Sequence, residues 1–191
     1  KERLELDMLD AFFEPRCNKC KKFLSPTSTN ELAPFNPLSF YALTKQIQEQ
    51  MILMYSKILG ISAFALRYQN VYGPGQSLKN PYTGIMAIFS TLARKGELIS
   101  IFEDGKESRD FVYIDDVIDA TMSFINTEIE GKNSYNIGAG KSTSVLEVAS
   151  NIIDYFGSES EIQITGEFRV GDIRHNYADL TKANQEIGYT P

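Results

Sequence analysis

Asn36-Pro37-Leu38-Ser39-Phe40-Tyr41-Ala42-Leu43-Thr44-Lys45 opens a long amphipathic segment, and its reading decides how the rest of the chain folds. Asn36 is a residue type that caps a helix through its side-chain oxygen, and Pro37 suits the first helical position, where its missing N–H costs nothing. Apolar residues then recur at Tyr41, Ile47, Met51, Met54, Tyr55 and Ile58, the three-to-four spacing of one buried helical face, until Gly60 supplies a stop. On such a helix Tyr41 and Lys45 lie on the same side, one turn apart. A phenol becomes a proton acceptor at neutral pH only if its ionisation falls by roughly three units from about 10, which takes about 4 kcal/mol. An ammonium about 5 Å away supplies about 3 kcal/mol at an effective dielectric of about 20. Tyr-x-x-x-Lys therefore reads as a base with its tuner. In a chain with 10 tyrosines, the alternative is a core tyrosine beside a solvated lysine.

Outward from this helix the chain repeats one unit. Residues 61–68 read as a buried strand that ends in the turn-rich run Asn70-Val71-Tyr72-Gly73-Pro74-Gly75. Helix, short turn and buried strand make the unit of a parallel, helix-covered sheet, whose ligands sit beyond the carboxyl ends of the strands. Residues 81–94 form a second amphipathic helix and 98–102 a short strand. The strand-like run at 108–114 leads to a helix capped by Asp115, with Val117, Ile118, Thr121, Met122 and Ile125 as its apolar face. Residues 134–138 read as a strand, and Ser144 with Glu147 forms a capping box for a helix over 145–156, closed by Gly157. Gly138-Ala139-Gly140-Lys141-Ser142-Thr143 imitates a phosphate loop, but the position five before Gly140 is Tyr135, so the required glycine spacing fails. A last strand over 162–165 precedes Phe168-Arg169-Val170-Gly171-Asp172. Arg109 and Arg169 are thus candidates for the forked clamp that a diphosphate needs. His175, the single histidine, reads as structural or solvent-exposed.

With 42% hydrophobic and 23% charged residues among 191, the composition is that of a globular domain with a real core. The net charge of −6 argues against a nucleic-acid surface. No run of 18 apolar residues is present, so no membrane span is expected. The charged opening is not followed by an apolar run, which leaves the cytoplasm as the expected compartment. Residues 1–35 are charged, turn-rich and weakly periodic, and carry Cys17-Asn18-Lys19-Cys20. Two thiolates at this spacing make half of a tetrahedral zinc site. Its completion needs ligands from outside this chain or from a second subunit; otherwise the pair is a surface turn with two reduced thiols.

Four motifs in order, Tyr41-Ala-Leu-Thr-Lys45, Leu66-Arg-Tyr-Gln-Asn70-Val-Tyr-Gly-Pro74, Arg109-Asp-Phe-Val-Tyr-Ile-Asp-Asp116 and Arg169-Val-Gly-Asp172, resemble the extended short-chain dehydrogenase/reductase family, specifically its NAD-dependent nucleotide-sugar epimerases and dehydratases. The resemblance covers about residues 30–191 and implies an α/β chain. It would contain the second half of a doubly wound, Rossmann-like parallel sheet plus a smaller mixed α/β substrate-binding lobe. The implied division is an irregular cysteine-bearing insertion (1–35), part of the NAD domain with the active-site helix (36–75), and a mainly nucleotide-sugar-binding lobe (76–191).

Carried over residue by residue, the resemblance makes Tyr41 the group that takes the proton of a sugar 4-hydroxyl, while Lys45 holds the nicotinamide ribose. Tyr68, Asn70 and Val71 would line the nicotinamide side. Asn70 would also touch the nucleotide sugar, Tyr82 and Phe102 would lie near the base, Arg109 and Arg169 would bind the diphosphate, and Asp172 would bind a ribose hydroxyl or orient the arginines. The cysteine-bearing segment is similar to the insertion of dTDP-L-rhamnose 4-epimerase-like members, where upstream ligands would close a zinc site on Cys17 and Cys20. The implied activity is epimerisation at position 4 of a nucleoside-diphosphate hexose through a 4-keto intermediate. The alternatives are a 4,6-dehydratase or an inert nucleotide-sugar-binding fragment. The family's Gly-x-x-Gly-x-x-Gly fingerprint and the Ser/Thr partner of the tyrosine are missing. The chain therefore looks like the carboxyl-terminal part of a longer enzyme and by itself is expected to bind NAD poorly. A homodimer is a further implication of the resemblance.

Overall fold

The computed structural model describes residues 3–77 and 84–191. In chain order the elements are α1 (Glu5–Leu9), α2 (Phe40–Leu59), β1 (Ala63–Tyr68), β2 (Asn70–Tyr72), α3 (Ile85–Lys95), β3 (Ile99–Ile101), β4 (Ser108–Arg109), β5 (Phe111–Tyr113), α4 (Ile114–Ile125), β6 (Lys132–Ile137), β7 (Thr143–Ser144), α5 (Val145–Phe156), β8 (Ile162–Ile164) and α6 (Thr181–Ile187). Among the described residues three of the four strand pairs, β1 with β6, β2 with β5 and β3 with β8, are parallel, and β4 with β7 is antiparallel. Parallel partners require long crossovers, and here helices fill them, as the helix–turn–strand pattern implies.

The start of α2 differs from the expectation. Its cap is Ser39, in extended backbone, whose Oγ accepts the N–H of Ala42 at 3.1 Å, so the helix begins three residues after Pro37. Gly60 ends it as expected, in the left-handed region at φ +67°. The apolar face also behaves differently. Among the described residues of α2 only Ser56 is buried, and Tyr41, Met51 and Ile58 are exposed. Where α2 does touch the sheet, a charged lock holds it: Arg67 of β1 donates two bonds to the Glu49 carboxylate at 2.9 and 2.7 Å, and Ser134 Oγ donates a third at 2.6 Å.

These bonds, that from Arg67 above all, hold the Glu49 carboxyl below its ordinary 4.5 despite the opposing effect of burial. A carboxylate depressed in this way stabilises the fold above the unfolded-state value and loses that contribution as pH falls through the folded-state value. Glu49→Gln should therefore be less stable than the parent at neutral pH, with the gap narrowing in urea titrations as pH falls below the ordinary carboxylate range and Glu49 takes up its proton. A gap that stays constant with pH would contradict this.

Two cores flank the centre of the chain. One joins α3, β3 and α5 through Phe89, Ile99, Ile101, Val148 and Ala149. The other joins β5, α4, β6 and α6 through Val112, Val117, Phe124, Tyr135 and Ala183. The buried stripe of α4 is Val117, Ala120 and Phe124, whereas Ile118, Met122 and Ile125 face outward. The helix begins at Ile114 after Tyr113, with Asp115 and Asp116 in its first turn rather than at its cap. The capping box of α5 forms on one side, Ser144 Oγ accepting from the Glu147 N–H at 3.1 Å, and Gly157 stops the helix at φ +56°. Residues 3–30 contain a short helix, α1, and a hairpin pinned by an antiparallel bridge between Arg16 and Phe23, so the segment is not wholly irregular.

Between the two cores sits Asp110, fully buried. Its Oδ1 accepts the N–H of Ala139 at 2.7 Å, and its Oδ2 accepts those of Gly140 and Ala178, both at 3.0 Å. One carboxylate thus ties the β4–β5 junction to the turn after β6 and to the segment before α6. Gly138 is tight against it, since a Cβ there would lie 2.5 Å from Asp110 Oδ2.

Candidate active site

At the carboxyl ends of β1 and β2 the chain forms a cleft of about 680 Å³, lined by Tyr41, Tyr68, Asn70 and Val71 at one end and by Phe102, Glu107, Arg109, Arg169 and Asp172 at the other. The volume suits a nucleotide-sized ligand, and the position is where parallel sheets hold theirs. A second cleft, about 720 Å³, opens on the other side of the same residues and is lined by Tyr41, Lys45, Glu49, Arg67 and Tyr68. Tyr41 and Tyr68 border both.

Tyr41 is 73% exposed, and Lys45 Nζ lies 5.6 Å from its ring centroid while donating to Gln48 Oε1 at 3.2 Å. The i, i+4 spacing on α2 therefore puts the phenol and the ammonium on one side, as expected. Tyr68 Oη shares a hydrogen bond of 2.9 Å with Thr121 Oγ1. Asn70 is fixed by its Nδ2, which donates to the Asp110 carbonyl at 3.2 Å. Thus the buried Asp110 and the cleft residue Asn70 are neighbours in one network.

At the far end Arg109 is held rigidly. Its Nη1 donates to the carbonyls of Ser108 and Arg174 at 2.9 and 3.2 Å, and its Nη2 to Asp172 Oδ1 at 3.2 Å. Arg169 lies over the Phe102 ring, its Cζ 4.9 Å from the centroid. Two guanidiniums from distant parts of the sequence thereby line one end of the cleft, one oriented by a carboxylate and the other by an aromatic face. Glu107, which lines the same end, is pushed above the usual carboxylate range, chiefly by burial. Tyr82 lies outside the described residues.

His175 is not a solvent-exposed side chain. Its Nδ1 is 2.8 Å from Ser108 Oγ and its Nε2 is 3.1 Å from a Glu14 oxygen, an arrangement that resembles a hydrolase triad in composition. Ser108 is only 4% exposed, and its Oγ is already 2.6 Å from Ser142 Oγ, so no substrate reaches it. The sequence reading missed Arg174 and its partners altogether. Glu103 and Asp104 each take the Arg174 guanidinium at 2.8 Å, and Glu107 lies 3.6 Å away. Burial alone would weaken that charge, but Asp104 and Glu14 hold the group firmly protonated. Glu103, Asp104 and Glu107 also form the one three-carboxylate cluster of metal-binding dimensions among the described residues, and the guanidinium already occupies it.

Cys17 and Cys20 lie on the tight turn of the hairpin, where Cys17 N–H donates to Lys22 O at 2.8 Å and Lys21 N–H to Cys17 O at 3.0 Å. They are not joined by a disulfide, and among the described residues no set of three metal-ligating groups includes them.

Comparison with known proteins follows the same lines. The sequence pattern of the NAD dependent epimerase/dehydratase family matches residues 19–138. The dTDP-L-rhamnose 4-epimerase of Burkholderia thailandensis is 43% identical over 166 residues, which are 87% of this chain and 45% of that protein. The solved structure of UDP-glucose 4-epimerase from Thermotoga maritima with UDP-glucose aligns at a TM-score of 0.80 and 32% identity, covering 88% of this chain and 53% of that one. The UDP-glucuronic acid 4-epimerase of Bacillus cereus, solved with UDP-glucuronic acid and NAD, aligns at a TM-score of 0.78 and 28% identity, covering 87% of this chain and 52% of that one. The chain spans about half the length of the curated relatives it matches.

Proposed function

Because this chain belongs to the NAD dependent epimerase/dehydratase family, we propose that it supplies the substrate side of an enzyme that inverts position 4 of a nucleoside-diphosphate hexose. The single observation that carries this reading is the cleft itself, which brings the Tyr41 phenol together with two oriented guanidiniums, while Lys45 stands beside the Tyr41 ring on the wall of the second cleft. In this arrangement Arg109 and Arg169 bind the diphosphate, Asp172 orients Arg109, and Phe102 lies near the base. The sugar then extends toward Asn70 and Tyr41. Tyr41 Oη accepts the proton of the 4-hydroxyl as C4 is oxidised, and returns it after the 4-keto sugar has presented its other face for reduction. Lys45 assists electrostatically. The alternative, a 4,6-dehydratase, needs an acid/base carboxylate pair near the sugar; the likeness to a dTDP-L-rhamnose 4-epimerase supports epimerisation.

NAD would supply the hydride acceptor and donor. Tyr41, Lys45, Tyr68, Asn70 and Val71 would hold its nicotinamide end; the fit is supported by the second cleft, which Tyr41, Lys45 and Tyr68 line. The exposed apolar side chains of α2, among them Met51, Met54 and Ile58, support assembly through this helix, with a homodimer as the proposed state. No helix among the described residues is long and apolar enough to cross a membrane, and a cytoplasmic enzyme is the corresponding proposal. Zinc remains part of the reading only as a half-site on Cys17 and Cys20, to be closed by ligands beyond the described residues. Metal analysis of the purified protein should then find about one zinc per chain, lost in Cys17→Ser.

The clamp is tested by Arg109→Ala. Removal of a charge-assisted contact to phosphate should raise the dissociation constant for UDP or dTDP by about 10- to 100-fold in calorimetry. An unchanged constant would count against the assignment.

A further inference from the structure

The loop that carries Arg169 and Asp172 is held from behind by residues near the start of the described chain. Arg3 reaches it directly: Nη2 donates to the Asp172 carbonyl at 2.9 Å, and Nη1 bonds Glu103 Oε1 at 2.6 Å. Glu14 accepts from Arg174 Nε at 2.8 Å and meets His175 Nε2 at 3.1 Å. The other oxygen of Glu103 takes Arg174 Nη1 at 2.8 Å, so Arg3 and Arg174 share one carboxylate. Both the Arg3 and Glu103 side chains are only 5% exposed. Glu103 itself sits in the left-handed region at φ +52°, a conformation that a non-glycine residue keeps only when its surroundings hold it there.

These contacts run on into the cleft. The carbonyl of Arg174 accepts from Arg109 Nη1, and the Asp172 carboxylate accepts from Arg109 Nη2. Arg3 holds the backbone of Asp172 from one side while Arg109 holds its side chain from the other. Glu14 is separated from Arg174 by 160 positions in sequence, and Arg3 from Asp172 by 169. The amino-terminal segment is thus part of the support of the anion seat rather than an appendage to it.

We propose that Arg3 and Glu14 are positioning residues for the diphosphate clamp, bracing the 169–176 loop so that Arg109, Arg169 and Asp172 present one fixed seat for two phosphates. The proposal rests on the reading of the cleft as a nucleotide-sugar site. It separates from a general structural role by what it spares: a loosened clamp costs affinity for the diphosphate and leaves the nucleoside end untouched.

The test titrates the intact enzyme carrying this chain with UDP and dTDP, and in parallel with uridine and thymidine, by NMR. The proteins compared are the parent, Arg3→Gln, Arg3→Lys, Glu14→Gln and Arg109→Ala, with hydrogen exchange followed at Asn176, whose amide bonds Ser108 O across the loop. Arg3→Gln and Glu14→Gln should weaken diphosphate binding roughly 5- to 10-fold, as expected for a displaced charge-assisted contact. Exchange at Asn176 should quicken, nucleoside binding should stay at the parental value, and Arg3→Lys should recover part of the loss. Parental diphosphate affinity in both brace variants, parental exchange at Asn176, or a parallel loss of diphosphate and nucleoside binding would each overturn the proposal. If Arg109→Ala also binds diphosphate as the parent does, the nucleotide-sugar reading falls and takes the brace with it. If only Arg109→Ala weakens binding, the brace alone falls.

Discussion

Tyr41→Phe is expected to lower turnover of the intact enzyme by at least about 10²-fold, the range of general acid–base effects, while leaving the dissociation constant of the nucleotide sugar close to that of the parent. The substitution removes one oxygen. Tyr41 Oη makes no hydrogen bond among the described residues, and its ring is exposed, so neither packing nor a buried polar network is disturbed. The arginine end of the cleft, with Arg109, Arg169 and Asp172, is assembled without it. A loss in kcat with binding retained is therefore the signature of a missing proton acceptor. Normal turnover in the Phe variant would remove Tyr41 from the mechanism. A loss confined to binding would make it a contact residue only.

The largest effect on stability is expected at Asp110. Asp110→Ala strips the amides of Ala139 and Gly140, which are partly buried, and that of Ala178, which is buried, of their only acceptor shown, and charge-assisted bonds of this kind contribute about 1.5 kcal/mol each. A loss of about 4 kcal/mol follows, roughly 10 °C in midpoint for a chain of this size. Asp110→Asn should be nearly as damaging, because the amide nitrogen would point a donor at donors. Gly138→Ala should also destabilise, since its Cβ would lie 2.5 Å from Asp110 Oδ2 and 2.7 Å from Gln69 Cγ. The two effects should be less than additive, because removing the carboxylate relieves part of the clash. Urea unfolding of the two single variants and the double variant measures this, and a loss below about 1 kcal/mol for Asp110→Ala would show that the three turns hold without it.

What the sequence revealed and what it hid divide along the range of the interactions. Local signals were legible: Gly60 and Gly157 stop α2 and α5, Ser144 caps α5, and the i, i+4 spacing puts Tyr41 beside Lys45. The start of α2 was misplaced because Asn36 and Ser39 are both capable caps three residues apart, and the choice falls to whichever backbone is extended at the right point; Ser39 is. On α4 the sequence placed Val117 inward correctly but missed Ala120 and Phe124, because apolar residues surround that helix and periodicity alone does not choose among its faces. The α2 face that periodicity marks as buried is exposed among the described residues. Arg3, Glu14, Asp110 and Arg174 were invisible for a different reason: their partners lie tens of residues or more away, and no spacing rule reaches that far. Arg109 and Arg169 were legible as a candidate pair, and the contacts to Asp172 and Phe102, which no spacing reveals, show how each is held.

The central claim is chemical, and the most direct measurement follows the hydrogen on C4. The intact enzyme carrying this chain would be incubated in deuterated water with dTDP- and UDP-hexoses, and the products resolved by proton NMR. The account predicts a C4 epimer that keeps its original hydrogen at C4, because the hydride removed from carbon returns to carbon while only the hydroxyl proton passes through Tyr41. A product inverted at C4 but carrying solvent deuterium there, or a 4-keto-6-deoxy sugar in place of the epimer, would contradict it.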